Sequence, residues 1–145
     1  MQNNKVYVYS TSGSALTETA ILTGNRAVIS ALAYSSTGTL LAAGDSTGKI
    51  VLYNRVKEGE YTVKTTRWAF HTGRVNQITW NAKDSHVVSA GLDTNMFVYS
   101  VENPGKNIKF TGAHKDGVNA VGWVDEGKVV TAGSDGAVKV WEVKL

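Results

Sequence analysis

The sequence contains no cysteine and a single proline. The first absence excludes disulfides, thiolate metal sites and a cysteine nucleophile. The second leaves turns to be made by its 15 glycines together with Asn and Asp. There is no run of about 18 apolar residues, so no helix is expected to cross a bilayer and no membrane partner is expected. Residues 1–14 lack the apolar segment of a secretion signal and are not read as one. Histidine is scarce too. His71 and His114 fall in different parts of the chain, which speaks against a metal centre. No helical period persists. What remains is a chain of 145 residues, long enough for one core, with a net charge of +3 spread as ordinary solubilising charge.

Three phrases recur in one order. "ISALAY" from Ile29, "VNQITW" from Val75 and "VNAVGW" from Val118 are the first. "LLAAG", "VVSAG" and "VVTAG", ending at Gly44, Gly91 and Gly133, are the second. "KIVLY", "NMFVY" and "AVKVW", ending at Tyr53, Tyr99 and Trp141, are the third, and "KVYVY", ending at Tyr9, is a further copy. The period is about 40–45 residues, the range of propeller-type repeats. Each phrase reads as a short strand, β-branched or alternating. The apolar positions Val75, Ile78 and Trp80 break even spacing, as do Val118, Val121 and Trp123. One extra residue, a β-bulge, accounts for the break. "SDGA" between two strands signals a hairpin. A weaker fourth strand follows at residues 15–22, 61–68 and 107–111. The unit is therefore four antiparallel strands, a propeller blade.

These phrases resemble the WD-repeat family over nearly the whole chain. Trp141 stands at the tryptophan of its Trp-Asp pair, here followed by Glu142, and Tyr9, Tyr53 and Tyr99 replace that tryptophan elsewhere. His71 and His114 match the family's Gly-His histidine; the first complete unit has Asn25 instead. The resemblance implies a buried hydrogen-bonded tetrad of His114, Thr131, Asp135 and Trp141, and a matching one of His71, Ser89, Asp93 and Tyr99. With Asn25, Asp45 and Tyr53, and an apparent one-residue insertion in "GDSTGK", the first full blade is expected to have a degenerate network. His, Ser or Thr, and Asp also spell a hydrolase triad. Repetition at blade spacing favours the structural reading, so no catalytic residue is assigned. "AGDSTGK" precedes a strand, not a helix, and is not a phosphate loop. The aromatics sit at fixed strand positions, which favours core packing over nucleic-acid binding.

The expected organisation is all-β: a partial WD-repeat propeller of about three four-stranded antiparallel blades plus a leading two-strand half blade. Residues 1–23 are the outer strand pair of a partial blade. Residues 24–68 and 69–112 are blades, and 113–145 is a blade lacking its outer strand, all in one propeller domain. Closure takes about 4–8 complete blades. The chain is accordingly expected to be a piece of a longer propeller, capable of self-association through open blade edges.

Some phrases go beyond the general pattern. "AAGDSTGKIVLY", "KTTRWAFHTGRVNQITW", "AGLDTNMFVYSV" and "GAHKDGVNAVGW" resemble the C-terminal part of the second of two seven-bladed propellers in the actin-interacting family that cooperates with cofilin, most like its fungal members. That resemblance implies a non-enzymatic, cytoplasmic scaffold of the actin cytoskeleton, with actin filaments and cofilin as partners and no cofactor. No actin-contacting position carries over by motif. Loops carry binding more often than strands. The loops leading into each inner strand place Asn25, Arg26, Thr72, Arg74, Lys115 and Asp116 on one face as candidate protein-binding residues. The other readings are a WD-repeat adaptor with unrelated protein partners, and an excised or engineered propeller fragment that self-associates.

Overall fold

The computed structural model describes residues 3–145; Met1 and Gln2, the first two residues of the expected 1–23 unit, lie outside the described residues. Among the described residues there are thirteen strands and no helix. A two-stranded sheet comes first, with β1 (Val6–Ser12) and β2 (Ala15–Leu22). Two four-stranded meanders follow: β3 (Ile29–Tyr34), β4 (Leu40–Asp45), β5 (Ile50–Lys57) and β6 (Glu60–Trp68), then β7 (Val75–Trp80), β8 (His86–Gly91), β9 (Met96–Ser100) and β10 (Asn107–Phe110). Last come β11 (Val118–Asp125), β12 (Lys128–Gly133) and β13 (Val138–Glu142) in a three-stranded sheet. All pairings are antiparallel, and β3, β7 and β11 are neighbours in space. The sheets are successive blades of an open propeller arc.

The middle strands explain the apolar phrases. Each of the two complete blades has a neighbour on both faces, so alternate residues of one strand enter two different cores. Ala42, Ile50, Leu52 and Trp68 pack with Val75, Ile78, Val87, Phe97 and Tyr99 of the next blade. Leu41, Ala43, Val51 and Tyr53 face the other way, onto Val6 and Leu22 of the half blade. Val88, Ala90, Met96 and Val98 pack with Val118, Val121 and Val129. Each fully buried Val, Leu or Phe contributes about 1.5–3 kcal/mol, so burial between blades outweighs the hydrogen bonds that join them.

The inner strands carry those hydrogen bonds. The register shifts between Ile29 and Ala31, Val75 and Gln77, and Val118 and Ala120. The bulge thus falls on Ser30, Asn76 and Asn119, and it turns the first two toward the next blade. Ser30 Oγ donates to the Val75 carbonyl at 2.7 Å, and Asn76 Nδ2 to the Val118 carbonyl at 2.8 Å. Tryptophans at the strand ends reach backward. Trp80 Nε1 donates to the Ala33 carbonyl at 3.0 Å, and Trp123 Nε1 to that of Thr79 at 3.3 Å.

In the turns between the first and second strands of each blade, carboxylates clamp neighbouring blades. Asp84 accepts from the backbone N–H and hydroxyl of Ser36 (2.7 and 2.9 Å) and of Thr37 (3.0 and 2.9 Å). Glu126 accepts from Asn81 Nδ2 at 2.9 Å, one blade further on. Partial burial pushes the Asp84 carboxyl up, but the four donors together outweigh it and hold its pKa below the ordinary value.

The apparent insertion in "GDSTGK" is corrected by the register. Gly44 pairs with Ile50, Ala90 with Met96 and Ala132 with Val138. The three turns are therefore equal in length, and Gly48, Thr94 and Gly136 supply the left-handed residue of each, at φ 95, 70 and 74°. Matching terminal glycines had displaced "LLAAG" by one. Asp45, not Gly44, is the equivalent of Gly91 and Gly133.

Candidate functional site

Six loops and turns, two from each of three blades, lie on one face of the arc. Each loop that leads into an inner strand is fastened to the turn of its own blade. The N–H of Ser46 donates to the Val28 carbonyl (2.8 Å), that of Leu92 to Arg74 (2.9 Å) and that of Ser134 to Gly117 (3.1 Å). Arg26, Thr72, Arg74, Lys115 and Asp116 are exposed on this face. Asn25 is not, which corrects its place among the binding candidates. It is buried, donating to the Ala43 carbonyl at 3.0 Å and accepting from the Tyr53 hydroxyl at 3.1 Å.

Beneath the face lie two polar networks. In the last blade His114 Nδ1 is 2.9 Å from Asp135 Oδ1 and Nε2 is 2.7 Å from Thr131 Oγ1. Trp141 Nε1 donates to that same Thr131 oxygen at 2.8 Å. The Asp135 carboxylate only accepts, so the imidazole proton is assigned to Nδ1, and in the neutral ring Nε2 accepts from the Thr131 hydroxyl. The second oxygen of Asp135 accepts the Lys115 N–H at 3.1 Å. One carboxylate thereby fixes the histidine and the loop residue after it.

The preceding blade repeats the arrangement with His71, Asp93 (2.9 Å) and Ser89 (2.7 Å), and Asp93 accepts the Thr72 N–H at 2.8 Å. Burial pushes the Asp93 carboxyl up, but His71 and the N–H groups of Thr72 and Asn95 pull it down to about 2. The hydrogen bond from His71 is the largest of these lowering effects. For Asp135 the bond from His114 is the leading cause of a pKa below the ordinary range.

Two expectations are corrected. Tyr99 does not join the His71 network: its buried hydroxyl has no hydrogen-bond partner, and neither has the indole N–H of Trp68, on which its ring stacks at 5.0 Å. Burial raises the Tyr99 pKa accordingly. The other correction concerns burial in the last blade. His114 and Thr131 are buried, but Asp135 is exposed at its backbone and about one-fifth exposed at its side chain, and Trp141 is half-buried. No blade covers the far face of β13.

The first full blade solves the same problem differently. A Cβ on Gly133 would lie 2.3 Å from the His114 ring, so histidine requires glycine there. Asp45 fills that space, and the shorter Asn25 stands where the histidine would be. Asp45 Oδ1 accepts from the Thr47 N–H (3.0 Å), the Thr47 hydroxyl (2.7 Å) and the Lys49 N–H (3.1 Å). The network is redesigned, with each polar group paired.

Chemically these networks hold and do not expose. Ser89 and the His71 side chain are fully buried inside a sheet, so the serine oxygen has no path to a substrate. His86, at a strand start, is half-buried, and burial depresses its pKa despite the charge of Glu126. Among the described residues no group of three or more His, Cys, Asp or Glu side chains could hold a metal ion. Sequence reasoning placed the bulge but not the cross-blade bonds of Ser30 and Asn76, and it missed Asp84 and Glu126, whose signal lies in turns that the apolar pattern does not cover.

Comparison with known proteins places this geometry. The WD domain, G-beta repeat model matches residues 16–54, 62–100 and 105–142. The chain is 46% identical over 138 residues to an uncharacterized WD repeat-containing protein of Schizosaccharomyces pombe, covering 95% of this chain and 23% of that one. It is 33% identical over 141 residues to Actin-interacting protein 1-2 of Arabidopsis thaliana, covering 97% and 23%. The chain thus spans about a quarter of the length of these relatives. Chaetomium thermophilum Sqt1, solved bound to the N-terminus of ribosomal protein L10, superposes with a TM-score of 0.81 at 22% identity, over 98% of this chain and 39% of that one. At that identity the likeness concerns the fold.

Proposed function

The chain belongs to the WD-repeat family, and from that premise we propose that it forms part of a non-enzymatic scaffold in actin-filament disassembly, acting together with cofilin in the cytoplasm. The observation that carries the reading is the match across 97% of the chain to a relative named for its interaction with actin. Burial of the His71–Ser89 and His114–Thr131 pairs supports a binding role over a catalytic one. The loop face, with Arg26, Thr72, Arg74, Lys115 and Asp116, is the surface such a scaffold presents.

A propeller face binds through several adjacent loops, and its energy concentrates in a few anchors. The activity therefore belongs to the whole protein, of which this chain supplies one sector. The experiment is co-sedimentation of the full-length protein with actin filaments, with and without cofilin. Pelleting that increases with cofilin is the expected result. A protein that stays in the supernatant under both conditions ends the actin reading and leaves a WD-repeat adaptor with other partners.

A further inference from the structure

An aspartate followed by glycine can close on itself, because no side chain shields the next backbone nitrogen from the carboxyl group. The sequence contains this dipeptide twice, both times in the last blade, as Asp116-Gly117 and Asp135-Gly136. At Asp135 both reacting groups are engaged. Its oxygens accept from His114 Nδ1 (2.9 Å), the Ala137 N–H (3.1 Å) and the Lys115 N–H (3.1 Å), and the Gly136 N–H donates to the Gly133 carbonyl (3.2 Å). At Asp116 neither group is engaged. Asp45, Asp84, Asp93, Asp125 and Asp135 each accept at least one hydrogen bond, whereas the exposed Asp116 carboxylate accepts none among the described residues. The Gly117 N–H likewise donates to no group among the described residues.

The fold itself calls for this pair. Gly117 has a φ of 120°, and a Cβ on it would lie 3.3 Å from Leu92 Cδ1, so glycine is the residue that fits. Asp116 precedes it at φ 66°, a region that aspartate enters more readily than most side chains. The chain is fastened on either side. The Lys115 N–H is held by Asp135, and the Gly117 carbonyl accepts the Ser134 N–H at 3.1 Å. The reactive dipeptide therefore spans two fixed points, with its carboxyl group in water.

We propose that Asp116 is a modification site, isomerising to isoaspartate through a cyclic imide formed with the Gly117 nitrogen. That nitrogen attacks Cγ of the protonated carboxyl group. The N–Cγ bond forms, and the hydroxyl leaves with the N–H proton as water. Water then opens the ring. Attack at Cγ restores aspartate. Attack at the Asp116 carbonyl carbon breaks its bond to the Gly117 nitrogen and leaves the main chain running through the side chain. Composition and charge are unchanged, and no oxidant is needed. The main chain gains one bond, about 1.5 Å, between the two fixed points. Asp135 is protected, because its carboxylate must first shed its partners. The bond from His114 also holds its pKa below the ordinary range, in the ionised form that is not attacked. None of this depends on the partner proposed above.

The test uses the full-length protein, aged at neutral pH and body temperature in heavy-oxygen water. It is then cut with a protease that cleaves before aspartate but not before isoaspartate. Each opening of the imide inserts one heavy oxygen. Mass spectrometry is expected to find heavy oxygen and missed cleavage at Asp116, at least about tenfold above the level at Asp135. In protein aged in guanidinium chloride the two positions are expected to label alike, because the partners of Asp135 are gone. Asp116→Glu is expected to remove the signal at that position, since the larger ring closes far more slowly. No heavy oxygen at Asp116 in the native protein, with labelling there in denaturant, overturns the site. Equal labelling of Asp116 and Asp135 in the native protein overturns the selection of Asp116 by its surroundings.

Discussion

A Cβ placed on Gly91 would lie 2.3 Å from the Nδ1 of His71. The glycine is thus present for the space it leaves, since its backbone φ is not left-handed. Gly91→Ala must displace the imidazole and break its bonds to Asp93 and Ser89, which is expected to cost about 3 kcal/mol or more in urea denaturation. The first full blade holds the compensated pair, Asp45 with Asn25. Gly91→Asp is therefore expected to be severe alone and milder when combined with His71→Asn. Additive costs in the double variant would show that ring and glycine do not compete for one space.

Much of this architecture is readable in the sequence because a repeat is written several times. The bulge emerged from the spacing of Val75, Ile78 and Trp80, since core positions must return to one face. Frame was harder. Gly44 and Gly91 both end an apolar run, and only the pairing of Gly44 with Ile50 and of Ala90 with Met96 reveals that they are not equivalent. Tyr99 occupies the position of Trp141 in the repeat, yet its hydroxyl makes no hydrogen bond, which position in the repeat does not reveal. Asp84 left no trace in the strand pattern. Its partners, Ser36 and Thr37, are distant in sequence and meet it only because blades stack.

Asp93 and Asp135 make the same bonds in different surroundings. Their side chains are 5% and 19% exposed. Each replacement by alanine strands a histidine N–H and backbone donors, about 1–3 kcal/mol by the usual scale. Water can reach the donors left by Asp135→Ala, so Asp93→Ala is expected to lie toward the upper end and Asp135→Ala toward the lower. Thermal melts of the two variants decide it, and a reversed order would contradict the assigned burial.

The pH dependence has a definite sign. The Asp93 pKa is depressed to about 2 in the fold, against about 3.9 in an unfolded chain. As pH falls, the unfolded state takes up this proton first. The stabilisation is complete above about pH 4 and is lost as pH falls toward 2. Stability in urea measured at steps from pH 5 to pH 2 is expected to drop in the wild type, and less steeply in Asp93→Asn. Parallel slopes would remove Asp93 from the account of acid sensitivity.

Asp84 combines a clamp with a backbone at φ 55°. Alanine loses the clamp and suits the left-handed backbone poorly, whereas glycine loses the clamp only. Asparagine tolerates the backbone and keeps one acceptor oxygen without the charge. Asp84→Ala is expected to be the most destabilising, by about 1–2 kcal/mol, with Asp84→Gly and Asp84→Asn both milder. If all three variants stay within about 0.3 kcal/mol of wild type, the four hydrogen bonds exchange for water without net effect.

The far face of the last blade can be judged against the others. Val138 and Val140 are equivalent to Ile50 and Leu52 and to Met96 and Val98, four side chains exposed by no more than 1%. Here the two valines are 71% and 63% exposed, and β13 pairs only with β12. At the other end of the arc Tyr7, Tyr9, Leu32 and Tyr34 are all at least 40% exposed. Each valine brought to full burial contributes about 1.5 kcal/mol or more, and a free strand edge adds hydrogen bonds to any partner that pairs with it. A face of this kind favours association whenever nothing else covers it. The 145-residue chain on its own is therefore expected to show a sedimentation coefficient that rises with concentration. Val138→Lys with Val140→Lys is expected to suppress that rise, because a charge at either position would have to be desolvated in the interface. A single monomeric boundary at every concentration would mean that the exposed valines and the free edge of β13 do not suffice to hold two copies together.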